Sequence, residues 1–483
     1  MFREITNIFK GDKMKEKEIT KRKPTLLEAF SVLFVLVGLL VFVVSKGFDV
    51  IPPLAITIAY MMFIAYRCGY TWDELIEVVL DRCRGLVEVI FIMYSIGAFI
   101  GAMMFSGTIP TMIYYLIEII SPKFIVVLSF LLCGTVALLI GTSWGTIGTV
   151  GVIMISIATS LGVPLAPVAA AIAGGSHLGQ TMSPMSDMTN LSGNLSGSDT
   201  MTMIKRMLYF GIPVVTLSIV VYTAIGFMTS SGAASMDAVN LIREEIVSVY
   251  NVNPIVIIPM LLVFFMTFKK QPVIKSLVLA SLLAIPLGVF FHGFDLAQGI
   301  NVLRDGFNLT KVTGLDSALY GDVFLNLVNR GGAASMGSAV LLTLVATFMG
   351  AVMVKIGLVN VIVEKVFKNV KGRIALTASV VVVTITMVAC TSSSVLAIML
   401  AIEFFRDKFH AAGMDDKDLT ATAMSVGSQF IGVVPWCDTA VYIAGITGVS
   451  TMAYAPYAFF CWASSVIMII LSAFGIGYAK NKK

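Results

Sequence analysis

Long apolar runs, separated by short polar or basic stretches, dominate the chain. Leu26 to Val44 is long enough to cross a hydrocarbon layer about 30 Å thick. Similar runs follow at Ile51–Tyr66, Gly85–Phe105, Phe124–Ile140, then on to Ser160, and Met207–Phe227. Pro254–Phe268, Val273–Phe291, Ser335–Val354, Ile374–Cys390, Val395–Phe405, Leu419–Val434 and Met452–Tyr478 continue the series. Between them the pattern predicts an amphipathic connector at 67–84, a helix at 108–120, a polar loop at 229–253 and a long connection at 301–332. It predicts an all-α polytopic membrane protein of about 11–12 spans.

Two polar stretches interrupt the apolar pattern. Gly174 to Asn190 (GGSHLGQTMSPMSDMTN) combines three glycines and Pro184 with His177, Gln180, Ser186, Asp187, Thr189 and Asn190. A continuous helix is not expected there. Gly141 to Thr146 (GTSWGT) is a second glycine-rich break. Polar, non-helical backbone at membrane depth persists only when buried in protein or lining a cavity. Both stretches therefore read as parts of a transport site.

Composition agrees with the pattern: 58% hydrophobic and 13% charged residues, with a mean hydropathy of +0.93. A soluble domain carries about 25% charged residues. The net charge of +5 owes much to the first 23 residues, a tail that reads as a cytoplasmic terminus rather than a nucleic-acid site. The six cysteines have no metal-ligand or CxxC spacing, and three histidines do not suggest a metal centre. No signal peptide is expected before Leu26, so the first span would serve as insertion signal. No cofactor and no enzymatic activity are expected, since neither a nucleophile–base pair nor a metal triad is visible.

The two halves resemble each other. Phe99-Ile-Gly-Ala-Met-Met104 returns as Phe348-Met-Gly-Ala-Val-Met353, and Thr142-Ser143 returns as Thr391-Ser392, both at an offset of 249. Gly175-Ser176 returns as Gly427-Ser428 at 252, and Pro184-Met-Ser-Asp187 as Pro435-Trp-Cys-Asp438 at 251. The connection after the first motif carries one lysine in the first half, but Lys355, Lys365, Lys368, Lys371 and Arg373 in the second. That asymmetry predicts opposite orientations. The expected fold therefore has two inverted-topology repeats with broken or re-entrant helices near the midplane. The corresponding division is a basic tail (1–24), two leading spans (25–84), a first repeat (85–228), middle spans (229–333), a second repeat (334–478) and a short basic tail (479–483). Both termini would be cytoplasmic, in the cell membrane.

A helix broken inside the bilayer exposes carbonyls on one side and N–H groups on the other. Carbonyls, hydroxyls and a carboxylate suit a small hard cation, and a half-helix N-terminus suits an anionic group. The candidate ion-binding residues are Asp187, Ser186, Thr189, Asn190, Thr142, Ser143, Ser392, Ser393 and Asp438, with His177, Gln180 and Ser428 as further candidates. Simpler readings stand beside these: Asp187 and Asp438 as helix caps, and His177 as a packed ring bonded to a carbonyl.

These segments resemble the NhaC-type Na⁺/H⁺ antiporter family. The matching stretches are Gly107-Thr-Ile-Pro-Thr-Met-Ile-Tyr-Tyr115, Gly141-Thr-Ser-Trp-Gly-Thr-Ile-Gly-Thr149, Met182-Ser-Pro-Met-Ser-Asp-Met-Thr-Asn-Leu191, Pro435-Trp436 and Ala453-Tyr-Ala-Pro-Tyr-Ala-Phe-Phe460. The resemblance implies a secondary transporter exchanging Na⁺ for H⁺ by alternating access, with Asp187 as the exchanging carboxylate. The chain departs from the family pattern at Gln180, near Ser393 and near Met424, where acidic residues are usual, and at Cys437, where the family carries Asn. An alternative within the resemblance is a Na⁺- or H⁺-coupled carrier or exchanger of small carboxylates such as malate or lactate, or of amino acids. There His177 or a half-helix N-terminus would hold the carboxylate. A channel or sensor is the reading from another class. The partners so implied are Na⁺ and H⁺, a small organic acid or amino acid under the alternative, the lipid bilayer and a second copy in a homodimer, with no nucleic acid.

Overall fold

The computed structural model describes residues 21–46, 48–230 and 236–475, so most of the two expected basic tails lies outside the described residues. Every regular element among them is helical. The first half comprises α1 (Leu26–Ser45), α2 (Ile51–Arg67), α3 (Trp72–Phe105), α4 (Thr108–Leu116), α5 (Ile125–Ile140), α6 (Ser143–Ser160), α7 (Leu165–Met182), α8 (Asp187–Ser196) and α9 (Thr200–Thr229). The middle holds α10 (Met236–Val249), α11 (Ile258–Phe268), α12 (Val273–His292) and α13 (Leu296–Asp305). The second half comprises α14 (Gly337–Lys355), α15 (Leu358–Val366), α16 (Arg373–Thr391), α17 (Ser394–Ala411), α18 (Asp416–Phe430), α19 (Asp438–Thr447) and α20 (Phe459–Phe474).

Among the described residues, seven helices are long and apolar enough to cross a membrane, and up to ten spans result if each of three bent pairs counts as one. That is fewer than the expected 11–12. Two further apolar helices, Ile51–Arg67 and Ile125–Ile140, fall short of a full span.

Several local expectations are corrected. Residues 67–84 are not a separate connector: most of them join the following span in the 34-residue α3. A capping box, in which Thr71 and Glu74 exchange side-chain bonds with each other's backbone N–H, starts that helix early. The polar segment 229–253 contains α10, whose Arg243 reaches Glu118 at 3.2 Å. Residues 301–332 are not a bare connection but hold the end of α13 and the short helices Leu309–Thr313 and Asp322–Val328. The last apolar run is bent by 48° between Thr451–Tyr457 and Phe459–Phe474.

The glycines of the 174–190 stretch do not break α7, which runs through them to Met182. They act as spacers. A methyl group on Gly175 would collide with the Phe130 carbonyl, and one on Gly179 with the backbone of Ala137, both on α5. The two helices pack backbone to backbone, an approach only glycine allows. The break falls later, at Ser183–Ser186.

The succession α3 to α9 is met again as α14 to α20, with matching caps. Left-handed residues precede α4 (Gly107, φ 70°) and α15 (Gly357, φ 68°), an offset of 250. Left-handed residues also close α5 (Gly141, φ 84°) and α16 (Ser392, φ 51°), and α8 (Gly197) and α19 (Gly448), each pair 251 apart. This register corrects one sequence alignment: Thr142 and Ser393 are the extended N-caps of α6 and α17, so Thr142 corresponds to Ser393 and not to Thr391. The shared Thr-Ser dipeptide misleads because the helix end, not the dipeptide, sets the register.

Buried apolar side chains gather into two clusters. One is built mainly from α3 to α7 and the middle helices, the other mainly from α1, α2 and α14 to α18. The half-helices after the breaks are exchanged between them. Met188, Leu191 and Leu195 of α8 pack into the second cluster, while Val441, Tyr442, Ile443 and Ile446 of α19 pack into the first.

Candidate functional site

In the first half, two breaks touch. α5 ends at Gly141, Thr142 is extended, and α6 begins at Ser143. α7 ends at Met182, and α8 begins at Asp187 after the N-cap Ser186. A methyl group on Gly141 would lie 2.6 Å from the Met185 carbonyl carbon and 2.8 Å from the Ser186 nitrogen, so the chains cross in direct contact. Ser183 Oγ donates to the Leu138 carbonyl (2.7 Å), one of the groups left open at the end of α5.

The second half repeats this crossing with different side chains. Trp436 Nε1 donates to the Ala389 carbonyl (2.6 Å), the counterpart of Leu138 at an offset of 251, and the Cys437 thiol donates to the Val388 carbonyl (3.5 Å). α18 tightens into the 3₁₀ turn Ile431–Val433 before the Pro435 break, and α19 starts at Asp438. Asp187 and Asp438 are thus each the first residue of a half-helix beside a crossing. Their surroundings differ: Asp187 is exposed, and Asp438 is half-buried.

Several sequence candidates have structural tasks. Ser186 Oγ accepts from the N–H groups of Met188 and Thr189 (3.2 and 3.4 Å) and donates to the Gln180 carbonyl (2.6 Å). Thr189 Oγ1 donates to the Thr181 carbonyl (3.2 Å). These two hydroxyls close the carbonyl end of α7. Asn190 is exposed, and its Oδ1 accepts from Thr200 Oγ1 (3.0 Å). Ser393 caps α17 by accepting from the Leu396 N–H (3.4 Å), and Ser428 Oγ donates to the Met424 carbonyl (2.6 Å). Asp438 Oδ1 accepts from the N–H and hydroxyl of Thr439 (2.6 and 3.0 Å), which leaves its second oxygen available.

Others keep unused chemistry. Ser143 Oγ, Gln180 Oε1 and His177 Nε2 are buried without a hydrogen-bond partner among the described residues. Thr142 makes no side-chain capping bond, and Ser392 stands at the left-handed close of α16. The crossing at Gly141 brings Thr142 and Ser143 to the start of α8. His177 is placed elsewhere: its ring lies against Gly432, in the break of the second half.

Two matches to the Na⁺/H⁺ antiporter family cover residues 19–187 and 175–476. The chain belongs to this family. It is similar to an uncharacterized Na⁺/H⁺ antiporter of Haemophilus influenzae, 31% identical over 96% of this chain and 98% of that one. It is also similar to the malate-2H⁺/Na⁺-lactate antiporter of Bacillus subtilis (30% identical; 95% and 97% covered). The Na⁺/H⁺ antiporter NhaC of Alkalihalophilus pseudofirmus is 27% identical, with 97% and 98% covered. The protein is a secondary transporter and a multi-pass membrane protein, not an enzyme.

Sequence reasoning missed four polar features of this antiporter-family chain. Arg406 of α17 donates to the Leu195 carbonyl at the end of α8 (2.9 Å), and Arg330 donates to the Ile446 carbonyl at the end of α19 (3.0 Å). Arg206 at the start of α9 pairs with fully buried Asp418 of α18 at 2.7 Å. Gln429 of α18 is buried, with its Oε1 unpartnered. Arg206, Arg406 and Asp418 carried a sequence signal, being charges at the edges of apolar runs. A cavity of about 520 Å³ reaches the second break: Pro435 lines it together with Asp49, Ser335, Ser338, Ser450 and Thr451.

Proposed function

We propose that the chain is a Na⁺/H⁺ antiporter of the cell membrane working by alternating access, with Asp187 as the carboxylate that exchanges cation for proton. One observation carries the reading: each half contains a helix broken before an aspartate, at Pro184-x-x-Asp187 and Pro435-x-x-Asp438, and each break crosses a second break. A carboxylate beside hydroxyls and open carbonyls suits Na⁺, and protonation offers the competing state. Thr142 and Ser143 supply the oxygens next to Asp187. Asp438 occupies the corresponding place in the second half.

The recurring caps and exchanged half-helices support two repeats related by a two-fold axis in the membrane plane. On that arrangement Lys205–Arg206, Lys269–Lys270 and both termini face the cytoplasm. The unequal exposure of Asp187 and Asp438 fits a carrier open at one break and closed at the other.

The test is ²²Na⁺ uptake into proteoliposomes driven by a pH gradient, without organic solute. Wild type should exchange, and Asp187→Asn should insert normally but lose exchange. Full activity in that variant sinks the assignment. A requirement for malate, lactate or an amino acid in any Na⁺ flux would favour the organic-anion or amino-acid carrier.

A further inference from the structure

His177 has an atom without employment. Its Nδ1 lies 2.7 Å from the Ala173 carbonyl, and a carbonyl can only accept, so Nδ1 carries a hydrogen. In the neutral ring Nε2 is then a lone-pair acceptor. The residue is fully buried, and no donor among the described residues reaches Nε2. A buried acceptor without a protein donor costs free energy that a purely packed side chain would not require.

A methyl group on Gly432 would lie 2.7 Å from His177 Cε1 and 3.2 Å from Nε2, so the Gly432 backbone lies against the ring. Gly432 belongs to the 3₁₀ turn leading into the Pro435 break. Its carbonyl is occupied by the Tyr454 hydroxyl (2.7 Å). His177 therefore spans the boundary between α7 of one half and the broken segment of the other. At the offset of 251 shared by the Pro184 and Pro435 breaks its counterpart is Ser428, which corrects the pairing of Ser428 with Ser176 at 252; Ser428 makes the equivalent bond to Met424 and has no titratable atom. The group is present in one half only.

We propose that His177 is the proton-binding group of the exchange: a proton from the aqueous phase adds to the Nε2 lone pair when the Gly432 turn moves off the ring, and leaves by the same bond on the other side. This rests on the antiport reading and amends one part of it: Asp187 keeps the Na⁺, and the proton assigned there to the same carboxylate binds the imidazole instead. An unprotonated Nε2 repels a carboxylate and accepts a donor, so a proton is the simplest ligand that fits.

The helices packed against α7 carry other titratable groups. The carboxylates are Asp187 on α8, Asp438 on α19, and Asp416 and Asp418 in the first turn of α18, where Asp418 is engaged by Arg206 and Lys417 lies between them. Lys205 and Arg206 stand in the first turns of α9, which also carries Tyr209 and Tyr222; Tyr442, Tyr454 and Tyr457, with the thiols of Cys133 and Cys461, complete the set. None is within hydrogen-bond reach of Nε2.

The experiment compares wild type and His177→Gln in proteoliposomes in two modes: Na⁺/Na⁺ exchange at symmetrical pH, and Na⁺ uptake driven by a pH gradient. The expected result is Na⁺/Na⁺ exchange within about twofold of wild type, with pH-driven uptake lowered at least about tenfold. Retained pH-driven uptake overturns the proposal, and so does equal loss of both modes in a monodisperse, inserted variant, which marks a structural role. If wild type itself shows no Na⁺/H⁺ exchange, the antiport reading has failed and this proposal with it, an outcome distinct from the other two. Should His177→Gln not insert, ¹⁵N NMR of the wild type decides. The chain has three histidines, and single substitutions of His292 and His410 isolate the His177 signal. Nε2 must gain a proton as the pH is lowered from about 9 to about 3, and an Nε2 that stays unprotonated throughout overturns the assignment.

Discussion

Arg406 and Arg330 hold corresponding carbonyls. Arg406 donates to Leu195 and Arg330 to Ile446, and these acceptors lie 251 residues apart, each one residue before the end of its half-helix. Neither arginine lies in the half that contributes the half-helix it clamps: Arg406 comes from α17, and Arg330 from the middle segment before α14. The shared solution is electrostatic. A short helix presents partial negative charge and open carbonyls at its C-terminus, and a guanidinium answers both.

Removing either arginine should loosen one half-helix and leave the other intact. A hydrogen bond from a charged group contributes about 1.5–3 kcal/mol, less at partly exposed Arg406. Hydrogen–deuterium exchange should show Arg330→Ala speeding exchange in 438–447 alone, and Arg406→Ala in 187–196 alone. Uniform acceleration across both would contradict separate clamps.

The two aspartates should differ in reach. Asp187 is exposed and Asp438 half-buried, whereas five of the six native cysteines are buried. In a background with Cys83 replaced, Asp187→Cys should react with a membrane-impermeant thiol reagent at least about tenfold faster than Asp438→Cys. Equal rates would show that the two breaks are equally open.

Gly179 should tolerate no side chain. A methyl group there meets the Ala137 backbone, which cannot rotate away, and overpacking of this kind costs about 1–3 kcal/mol. Gly179→Ala should lower the thermal midpoint in detergent. Gly337→Ala is the control, since nothing lies within 4 Å of its added methyl and its backbone is helical. A Gly179→Ala midpoint equal to that control would mean that α5 and α7 are not in direct backbone contact.

The Arg206–Asp418 pair should be costly to break from one side. Asp418 is fully buried, and stranding a partner of a buried pair costs about 3–5 kcal/mol. Arg206→Met alone should therefore destabilise more than Arg206→Met combined with Asp418→Asn, because the double variant leaves no uncompensated charge. Additive losses in a thermal melt would argue against coupling.

The sequence made the breaks legible because they are written locally. Pro184 and Pro435 each stand three residues before an aspartate, and Ser186 caps the helix it precedes. What it concealed depends on partners distant in the chain. Gly175 and Gly179 looked like breakers, since nothing nearby states that Phe130 and Ala137 will press against them. Ser186 and Thr189 looked like cation ligands, yet they bond the carbonyls of Gln180 and Thr181. Arg330 and Arg406 drew no notice because the carbonyls they hold are 116 and 211 residues away.

The exchange of α8 and α19 between the two apolar clusters separates position in the chain from mechanics. A carboxylate encoded in one half is anchored in the packing of the other, and it is clamped there at the far end of its half-helix. If the two clusters shift against each other, α5 and α7 keep their backbone contact and travel together, but Asp187 follows the opposite body. The break at Ser183–Ser186 then behaves as a tether under relative displacement, and the hydroxyls spanning it become the joint that must bend.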